Sequence, residues 1–283
     1  IRDRYTPNSK RDLSRLDYRH NEWDVDFLKY LKKLEKRKIL LMTHVVVGYP
    51  SLEANWSMLQ AMSEAEVDLV ELQMPFSEPT ADGPLFVRAN QESLSRGTNL
   101  DDYFTLMKRV VGECPMQVLM MGYCNTAFMI GFDQFPEMLK ENGASGFIIP
   151  DLPVEEYGVL HQKSADCGIH PVMLCTPTNT PARLEKILSN ASGFVYCVSR
   201  KGVTGKSTEL NKETSDFLEQ CREMTDVPLA LGFGLSRAQD LKMLHGKAEI
   251  AIVGSALLRS WEEGGESQYS CLLYTSPSPR DRG

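Results

Sequence analysis

Residues 39–47 read ILLMTHVVV, an apolar and largely β-branched run that ends at Gly48. A short run of this kind, bounded by turn-forming residues, is typical of a strand buried on both faces of a parallel sheet. Seven similar runs follow, each bounded by Gly, Pro, Asp or Asn, so the sequence predicts eight parallel strands. The other seven lie at residues 67–72, 116–121, 146–149, 170–174, 194–198, 228–232 and 249–253.

Amphipathic segments of helical periodicity separate these runs, and some follow a candidate helix cap such as Ser51, Asp133 or Ser236. Strict alternation of eight strands with helices predicts a (β/α)8 barrel, the TIM barrel. A doubly wound open sheet is the alternative, but its usual Gly-rich first turn does not follow the first run. The segments lie at residues 52–64, 100–112, 133–142, 155–167, 180–191, 210–224 and 236–244.

Both ends of the chain depart from this alternation, which places the barrel domain at residues 23–265. Residues 1–22 are predicted to be a disordered or non-native leader. Leu28 and Leu31 fall at helical spacing and predict an extra N-terminal helix below the barrel. We interpret residues 266–283 as a non-native tail. The eighth outer helix is then incomplete, and an uncovered apolar groove is expected on the barrel.

The composition excludes several classes of protein. A net charge of −7 argues against binding to nucleic acid, which requires a basic face. No apolar run approaches the roughly 18 residues of a membrane span. The charged amino end is the opposite of a signal peptide and predicts a cytoplasmic protein. Given the acidic balance, we expect any phosphate to be held by backbone N–H groups and not by a positive field.

The cysteines and histidines predict neither a disulfide framework nor a metal site. Seven cysteines are scattered without a C-x-x-C pair, and five histidines lack the spacing of metal ligands. We interpret most of the cysteines as small core residues. His44, in the first strand, is interpreted as a core residue whose hydrogen bonds are satisfied.

Uneven spacing of the strands indicates where a site should lie. The longest interval, residues 73–115, follows the second strand, and another long interval, residues 199–227, follows the sixth. Active sites of TIM barrels are built from loops at the carboxyl ends of the strands. The extra chain after these two strands is therefore the predicted location of the chemistry.

Glu71 lies near the end of the second strand, where alternation with Leu69 points its side chain into the barrel. An inward carboxylate in an apolar core is costly unless it is paired or used. A pair with a core Arg or Lys is the structural explanation. The position at a strand end equally favours a general acid/base.

Asp82 lies in the stretch PFSEPTADGP, residues 75–84, which contains three prolines and one glycine. Such a segment forms neither helix nor central strand, so it is predicted to be an ordered loop that folds over the barrel mouth. Asp82 is the second candidate for chemistry. An Asx-turn or a cap before Gly83 is the structural alternative.

Glycine-containing turns follow the sixth, seventh and eighth strands, at residues 202–205, 232–234 and 254–255. Each would expose unhindered backbone N–H groups. A phosphate held by the loops after strands seven and eight recurs in TIM barrels. Tight turns need glycine in any case, but three such turns at adjoining strand ends favour a phosphate site.

Four stretches closely resemble the tryptophan synthase α subunit family, in the family's order, and the resemblance runs from about residue 24 to residue 263. They are VELQMPFSEPTADGP at 70–84, DLPVEE at 151–156, YCVSRKGVTG at 196–205 and GFGLS at 232–236.

The resemblance implies a lyase of tryptophan biosynthesis that cleaves indole-3-glycerol phosphate into indole and glyceraldehyde 3-phosphate. Glu71 matches the family's acid/base, which protonates the indole C3 and helps remove the proton of the glycerol hydroxyl in a retro-aldol cleavage. Asp82 matches the carboxylate that stabilises positive charge at the indole nitrogen.

The resemblance also implies binding residues and a partner. Tyr123, Tyr196 and Thr204 match substrate-binding positions. No cofactor is implied for this chain, and indole would pass to a β subunit that carries pyridoxal phosphate, in a heterotetramer. The phosphate-binding positions are matched by Gly205, Phe233, Gly234, Gly254 and Ser255.

Three positions depart from the family pattern. Gln73 stands where glycine is usual, Tyr49 replaces the commoner Asp, and Glu78 replaces Asp. Tyr49 and Glu78 lie near or in the loop that communicates with the β subunit, so they put the coupling to that partner in doubt.

Two other functions stay open on the sequence alone. One is a different phosphate-binding barrel lyase or isomerase. The synthase that makes indole-3-glycerol phosphate is disfavoured among these, because the sequence has no catalytic lysine at a strand end beside Glu71. The other is a binding subunit, catalytically weak alone, that activates a β partner.

Overall fold

The computed structural model describes residues 39–198, 212–232 and 244–275. These residues form one sheet in which all neighbouring strands are parallel, in the order β5-β4-β3-β2-β1-β9-β8-β7-β6. The strands are β1 (Leu40–Val46), β2 (Leu69–Gln73), β3 (Gln117–Met121), β4 (Gly146–Ile148), β5 (His170–Pro171), β6 (Met173–Cys175), β7 (Val195–Val198), β8 (Leu229–Gly232) and β9 (Ile250–Val253).

Strands β5 and β6 are two parts of a single predicted strand, residues 170–174. The first part pairs with β4 and the second with β7. Val172 between them donates its N–H to the carbonyl oxygen of Phe147 at 2.9 Å. Pro171 has no N–H to donate, which explains the break in the ladder. The two parts join the ends of the sheet, so the predicted eight-stranded barrel is confirmed and the open sheet is excluded.

Helices surround the barrel. They are α1 (Leu52–Glu64), α2 (Pro84–Ser95), α3 (Leu100–Glu113), α4 (Cys124–Ile130), α5 (Phe135–Glu141), α6 (Gly158–Cys167), α7 (Pro181–Ser189), α8 (Lys212–Met224) and α9 (Ser255–Thr275), with a 3-10 turn at Val154–Glu156. The Ser51 side chain caps α1 by accepting from the Ala54 N–H. Asp133 does not cap α5, because Gln134 is the residue before that helix.

The apolar residues form two layers, one inside the barrel and one between the barrel and its helices. On β1, Leu40 and Met42 belong to the inner layer and Leu41 to the outer one. On β2, Leu69 belongs to the inner layer and Val70 to the outer. This period of two directs Glu71 into the barrel, as predicted.

The last helix corrects one part of the sequence prediction. Helix α9 does not end near residue 263 but continues through Thr275, with non-helical backbone at Gly265 (φ 62°). Tyr269 and Leu273 are buried, and the helix packs against α1. Apolar side chains at positions 269, 272 and 273 follow helical spacing, which is why these residues fold onto the barrel. The described residues thus cover the groove that was expected to be open.

Some predicted features lie outside the described residues. These are the leader at 1–22, the extra N-terminal helix, the candidate cap Ser236 and most of the helix at 236–244. Among the described helices, none has the length and apolar character needed to cross a membrane.

The packing of α9 can be tested at Tyr269, which is 1% exposed and contacts Trp261 edge to face. We expect Tyr269→Ala to lower the free energy of unfolding by about 3–5 kcal/mol, because it empties a buried aromatic site. Tyr269→Phe is the matched control and should change little, since the buried hydroxyl has no hydrogen-bond partner among the described residues. Urea unfolding measures both, and equal stability of the two variants would contradict the packing.

Acid should destabilise the barrel through His170. Burial lowers the pKa of His170 to about 3 from 6.5. Between pH 6.5 and about pH 3, His170 is protonated in the unfolded chain but neutral in the folded chain. The free energy of unfolding therefore falls as the pH drops below 6.5. His170→Gln should reduce this slope by up to about 1.4 kcal/mol per pH unit. Exposed His245 provides the control, and a His170→Gln slope equal to that of His245→Gln would refute the prediction.

Candidate active site

A cavity of about 930 Å³ opens at the carboxyl ends of the barrel strands. Its volume lies within the roughly 300–1,000 Å³ of small-molecule sites. The loops after β2 and β9 contribute to its wall, as predicted for the loop after the second strand. Charged and polar parts of the wall include His44, Glu71, Asp82, Tyr196 and Ser255.

The register of β1 and β2 places His44 directly beside Glu71. Both side chains point into the barrel, and His44 Nδ1 lies 3.2 Å from Glu71 Oε2. This buried oxygen accepts no well-aligned hydrogen bond within the described part of the chain. Oε2 itself is inaccessible and faces the imidazole, while Glu71 as a residue lines the cavity.

Gln73 connects this pair to Asp82. It is the next inward residue of β2, and its Oε1 lies 2.8 Å from His44 Nε2. Its Nε2 donates to Asp82 Oδ2 at 2.6 Å. The four polar side chains therefore form a continuous chain of contacts, in the order Glu71, His44, Gln73, Asp82.

The loop that carries Asp82 is anchored from two directions. The Ala81 N–H donates to Tyr123 Oη at 3.2 Å, and Phe76 stacks on the Tyr123 ring at 5.0 Å between centroids. From α2, Asn90 accepts from the Phe76 N–H at 2.9 Å and reaches Asp82 Oδ2 at 3.4 Å. These contacts hold the loop over the barrel mouth, as its proline content predicted.

Asp82 does not act as the cap that the structural alternative proposed. Gly83 is the residue before α2, and Pro84 occupies the first turn. The Asp82 carboxylate instead contacts Gln73 and Asn90 and lines the cavity. It is therefore positioned to meet a ligand.

Burial and mutual charge change the acidity of this cluster. Burial raises the pKa of Asp82, although the charge of His44 and the hydrogen bonds from Gln73 and Tyr123 oppose the shift. Burial alone would lower the pKa of His44. The charges of Glu71 and Asp82, with hydrogen bonds to Glu71 and Gln73, outweigh it and raise that pKa above 6.5. The two carboxylates thus favour a proton on the imidazole.

The two described tyrosines of the predicted site have different positions. Tyr196, on β7, lines the cavity and lies against Gly232 on the neighbouring strand. A Cβ at Gly232 would lie 2.8 Å from Tyr196 Cε1, so glycine is needed there for close packing. Tyr123 is fully buried behind the Asp82 loop and is not part of the described cavity wall.

Gly254 and Ser255 lie where β9 leads into α9, and both line the cavity. A Cβ at Gly254 would lie 3.3 Å from both His44 Cβ and Phe86 Cζ, so a side chain there would press on the site. The other predicted binding residues, Thr204, Gly205, Phe233 and Gly234, lie outside the described residues.

Sequence reasoning missed His44 and Asn90 as parts of the site. His44 was interpreted as a satisfied core residue, yet it shares the inward parity of Leu40 and Met42 at the cavity end of β1. That parity was a usable signal. Asn90 comes from α2, a helix that the periodicity did not predict, so no sequence signal pointed to it.

Three cysteines that appeared scattered in the sequence come together away from the cavity. The register pairs Cys175 of β6 with Cys197 of β7, and their sulfur atoms lie 3.7 Å apart. Cys221 of α8 completes a buried group whose sulfur atoms lie within 4.8 Å of one another. They pack in the apolar layer between the barrel and its helices.

Comparison with known proteins agrees with the resemblance seen in the motifs. The family model described as "Tryptophan synthase alpha chain" matches residues 30–276, which includes all of α9. The tryptophan synthase alpha chain of Syntrophotalea carbinolica is 42% identical over 233 residues, covering 82% of this chain and 92% of the relative. That of Desulfotalea psychrophila is 40% identical over 238 residues, covering 84% and 94%.

Solved structures agree in fold. Tryptophan synthase subunit alpha from Legionella pneumophila superposes with a TM-score of 0.81 at 28% identity, covering 90% of this chain and 98% of that one. A mutant tryptophan synthase alpha-subunit from Pyrococcus furiosus gives 0.77 at 27% identity, covering 86% and 98%. With the family match over most of its length, this chain belongs to the tryptophan synthase alpha chain family.

Proposed function

We propose that the cavity cleaves indole-3-glycerol phosphate into indole and glyceraldehyde 3-phosphate, the reaction of the family, with Glu71 as acid/base. The observation that carries this assignment is the placement of two carboxylates, Glu71 and Asp82, on one cavity at the carboxyl ends of the strands. Glu71, which lines the cavity and is paired with His44, is the group best placed to exchange protons with a ligand.

The reaction needs a proton delivered to one atom and removed from another. Glu71 gives a proton to the indole C3, which leaves positive charge on the ring nitrogen. The carboxylate then takes the proton of the hydroxyl on the adjacent carbon. As that O–H bond breaks, a C=O bond forms, the bond to C3 breaks, and its electron pair returns to the ring. A positioned acid/base contributes about 10²- to 10⁴-fold to such a step.

Asp82 is proposed to stabilise the positive charge at the indole nitrogen. Its loop is anchored by Tyr123 and Asn90, so the carboxylate is held in place before the ligand binds. Such preorganisation avoids the cost of reorienting the group during the reaction. We assign to Tyr123 the support of this loop, because it is not part of the described wall.

The phosphate is proposed to bind where Gly254 and Ser255 begin α9. Backbone N–H groups at a helix start attract anions without a net positive charge, as the acidic composition requires. Tyr196, on the wall, is proposed to position the substrate. The contributions of Thr204, Gly205, Phe233 and Gly234 stay predictions from the resemblance.

We also propose that indole passes to a β subunit that carries pyridoxal phosphate, in a heterotetramer in the cytoplasm. The name of the family implies such a partner. Tyr49, where the family more commonly has Asp, instead makes an internal contact: its hydroxyl donates to Glu262 of α9 at 2.6 Å. Arg88 of α2 donates to the same oxygen at 2.5 Å. We therefore expect activation by the partner to differ in strength from that of relatives with the usual carboxylate.

The function can be tested by measuring indole release from indole-3-glycerol phosphate, with and without a β subunit. Glu71→Gln should lower kcat by about 10²-fold or more, because the amide cannot exchange the proton. Asp82→Asn should lower it by about tenfold or more, since charge stabilisation is lost. Glu113→Gln, on the exposed face of α3, is the matched control and should keep wild-type activity.

Two results would count against the proposal. Absence of indole from the wild type, with and without the β subunit, would overturn the enzyme assignment. Release of indole at an unchanged rate by Glu71→Gln would leave the reaction but remove Glu71 as its acid/base.

A further inference from the structure

His44 has no part in the chemistry described above, although it contacts two members of the polar chain. Its Nδ1 lies 3.2 Å from Glu71 Oε2, and its Nε2 lies 2.8 Å from Gln73 Oε1. The ring is buried and lies 4.6 Å, between centroids, from the ring of Phe86. Gly254 approaches the other side, where even a Cβ would lie 3.3 Å from His44 Cβ. The imidazole is therefore held in one orientation.

The hydrogen-bond pattern fixes which nitrogen of His44 carries a constant proton. When Asp82 is ionised it only accepts, so Gln73 must turn its amide N–H towards Asp82. The Gln73 carbonyl oxygen then faces His44 Nε2 and requires an N–H there. Nδ1, which faces Glu71, is the nitrogen left to gain or lose a proton.

We propose that His44, oriented by Gln73, shares one proton with Glu71 and thereby acts as a positioning and proton-storing residue for this acid/base. This inference rests on the proposed function of the cavity. In the resting site the proton lies either on Nδ1 beside a Glu71 carboxylate or on Glu71 beside a neutral ring. Gln73, where the family usually has glycine, supplies the bond that selects this arrangement.

The proton balance of the reaction is then closed within the pair. If the shared proton starts on Nδ1, that N–H bond breaks and an O–H bond forms on Glu71. The Glu71 O–H bond then breaks as the new C–H bond forms at C3, which leaves a neutral ring beside a carboxylate. The pair has then lost one proton. The substrate hydroxyl returns one proton to Glu71 when the carbon–carbon bond breaks, and that proton passes back to Nδ1. No solvent proton is needed between the two steps.

The electrostatic surroundings support a proton on His44. Within the described residues, Glu71 from β2 and Asp82 from the following loop are the charged groups that act on it. Phe86 from α2 and Gly254 before α9 add no charge. Tyr196 faces the cluster from β7 and, because burial raises its pKa well above 10, adds no charge near neutral pH. Both neighbouring charges favour the protonated ring.

The test compares kcat, KM and the pH profile of indole release in wild type and His44→Phe. The phenylalanine ring fills similar space but carries no proton. We expect kcat to fall by about tenfold or more, KM to change by less than about threefold, and the alkaline limb of the kcat profile to move to lower pH. His161→Phe, on outer helix α6, is the matched control and should leave all three unchanged.

Two further variants separate proton storage from shape. In His44→Gly, added imidazole should restore part of kcat, and the restored rate should depend on the pKa of the imidazole derivative. Gln73→Met keeps the length of the side chain but removes both of its hydrogen bonds. We expect it to lower kcat less than His44→Phe does, and to shift the same limb of the pH profile.

The outcomes distinguish this inference from the proposed function. A wild type without turnover would overturn the function and this inference with it. Normal turnover and an unchanged pH profile in His44→Phe would overturn the inference alone. A fall in kcat with an unchanged pH profile and no rescue of His44→Gly by imidazole would also overturn it, because His44 would then be only structural.

Discussion

The site depends on a carboxylate that the barrel forces into its apolar interior. Side chains alternate along β2, and Leu69, two residues before Glu71, belongs to the inner layer. The Glu71 side chain therefore points into the barrel. The parallel register with β1 then decides its neighbour, since His44 is the residue directly opposite. The cost of burying a charge is offset by this one ring, which both pairs with the carboxylate and extends the contact towards Gln73 and Asp82.

We propose that the same geometry lets an acidic protein accept a phosphorylated substrate. The charged side chains that line the described cavity include Glu71 and Asp82, which would repel a phosphate. Gly254 and Ser255, at the start of α9, offer backbone N–H groups at another part of the wall. In the proposed function, the group that gains positive charge meets the carboxylates and the anion meets the helix start.

Much of the fold follows from local patterns. Each apolar run became a strand, and the long interval after the second strand contained the Asp82 loop and helix α2. The break of one strand at Pro171 and the continuation of α9 past Gly265 were not predicted, for different reasons. The break depends on tertiary pairing: the first part of the strand pairs with β4 and the second part with β7, and Pro171, which ends the first part, has no N–H to donate. The second part of α9 falls in residues 266–283, which were interpreted as a non-native tail although Tyr269 and Leu273 had the spacing to pack.

The two carboxylates that line the cavity could be predicted one by one from the sequence, whereas the contacts between them could not. Glu71 and Asp82 follow from their positions at a strand end and in a proline-rich loop. The chain that joins them needs the cross-strand register and the orientation of the Gln73 amide, which periodicity does not encode. The contribution of Asn90 requires α2 to pack over the loop, a tertiary feature.

A crystal structure of Glu71→Gln with indole-3-glycerol phosphate bound tests this account most directly. The account predicts the indole nitrogen at hydrogen-bond distance from Asp82, C3 facing residue 71, and the phosphate on the backbone N–H groups of Gly254 and Ser255. A phosphate bound away from the start of α9, or an indole ring turned away from Asp82, would contradict it.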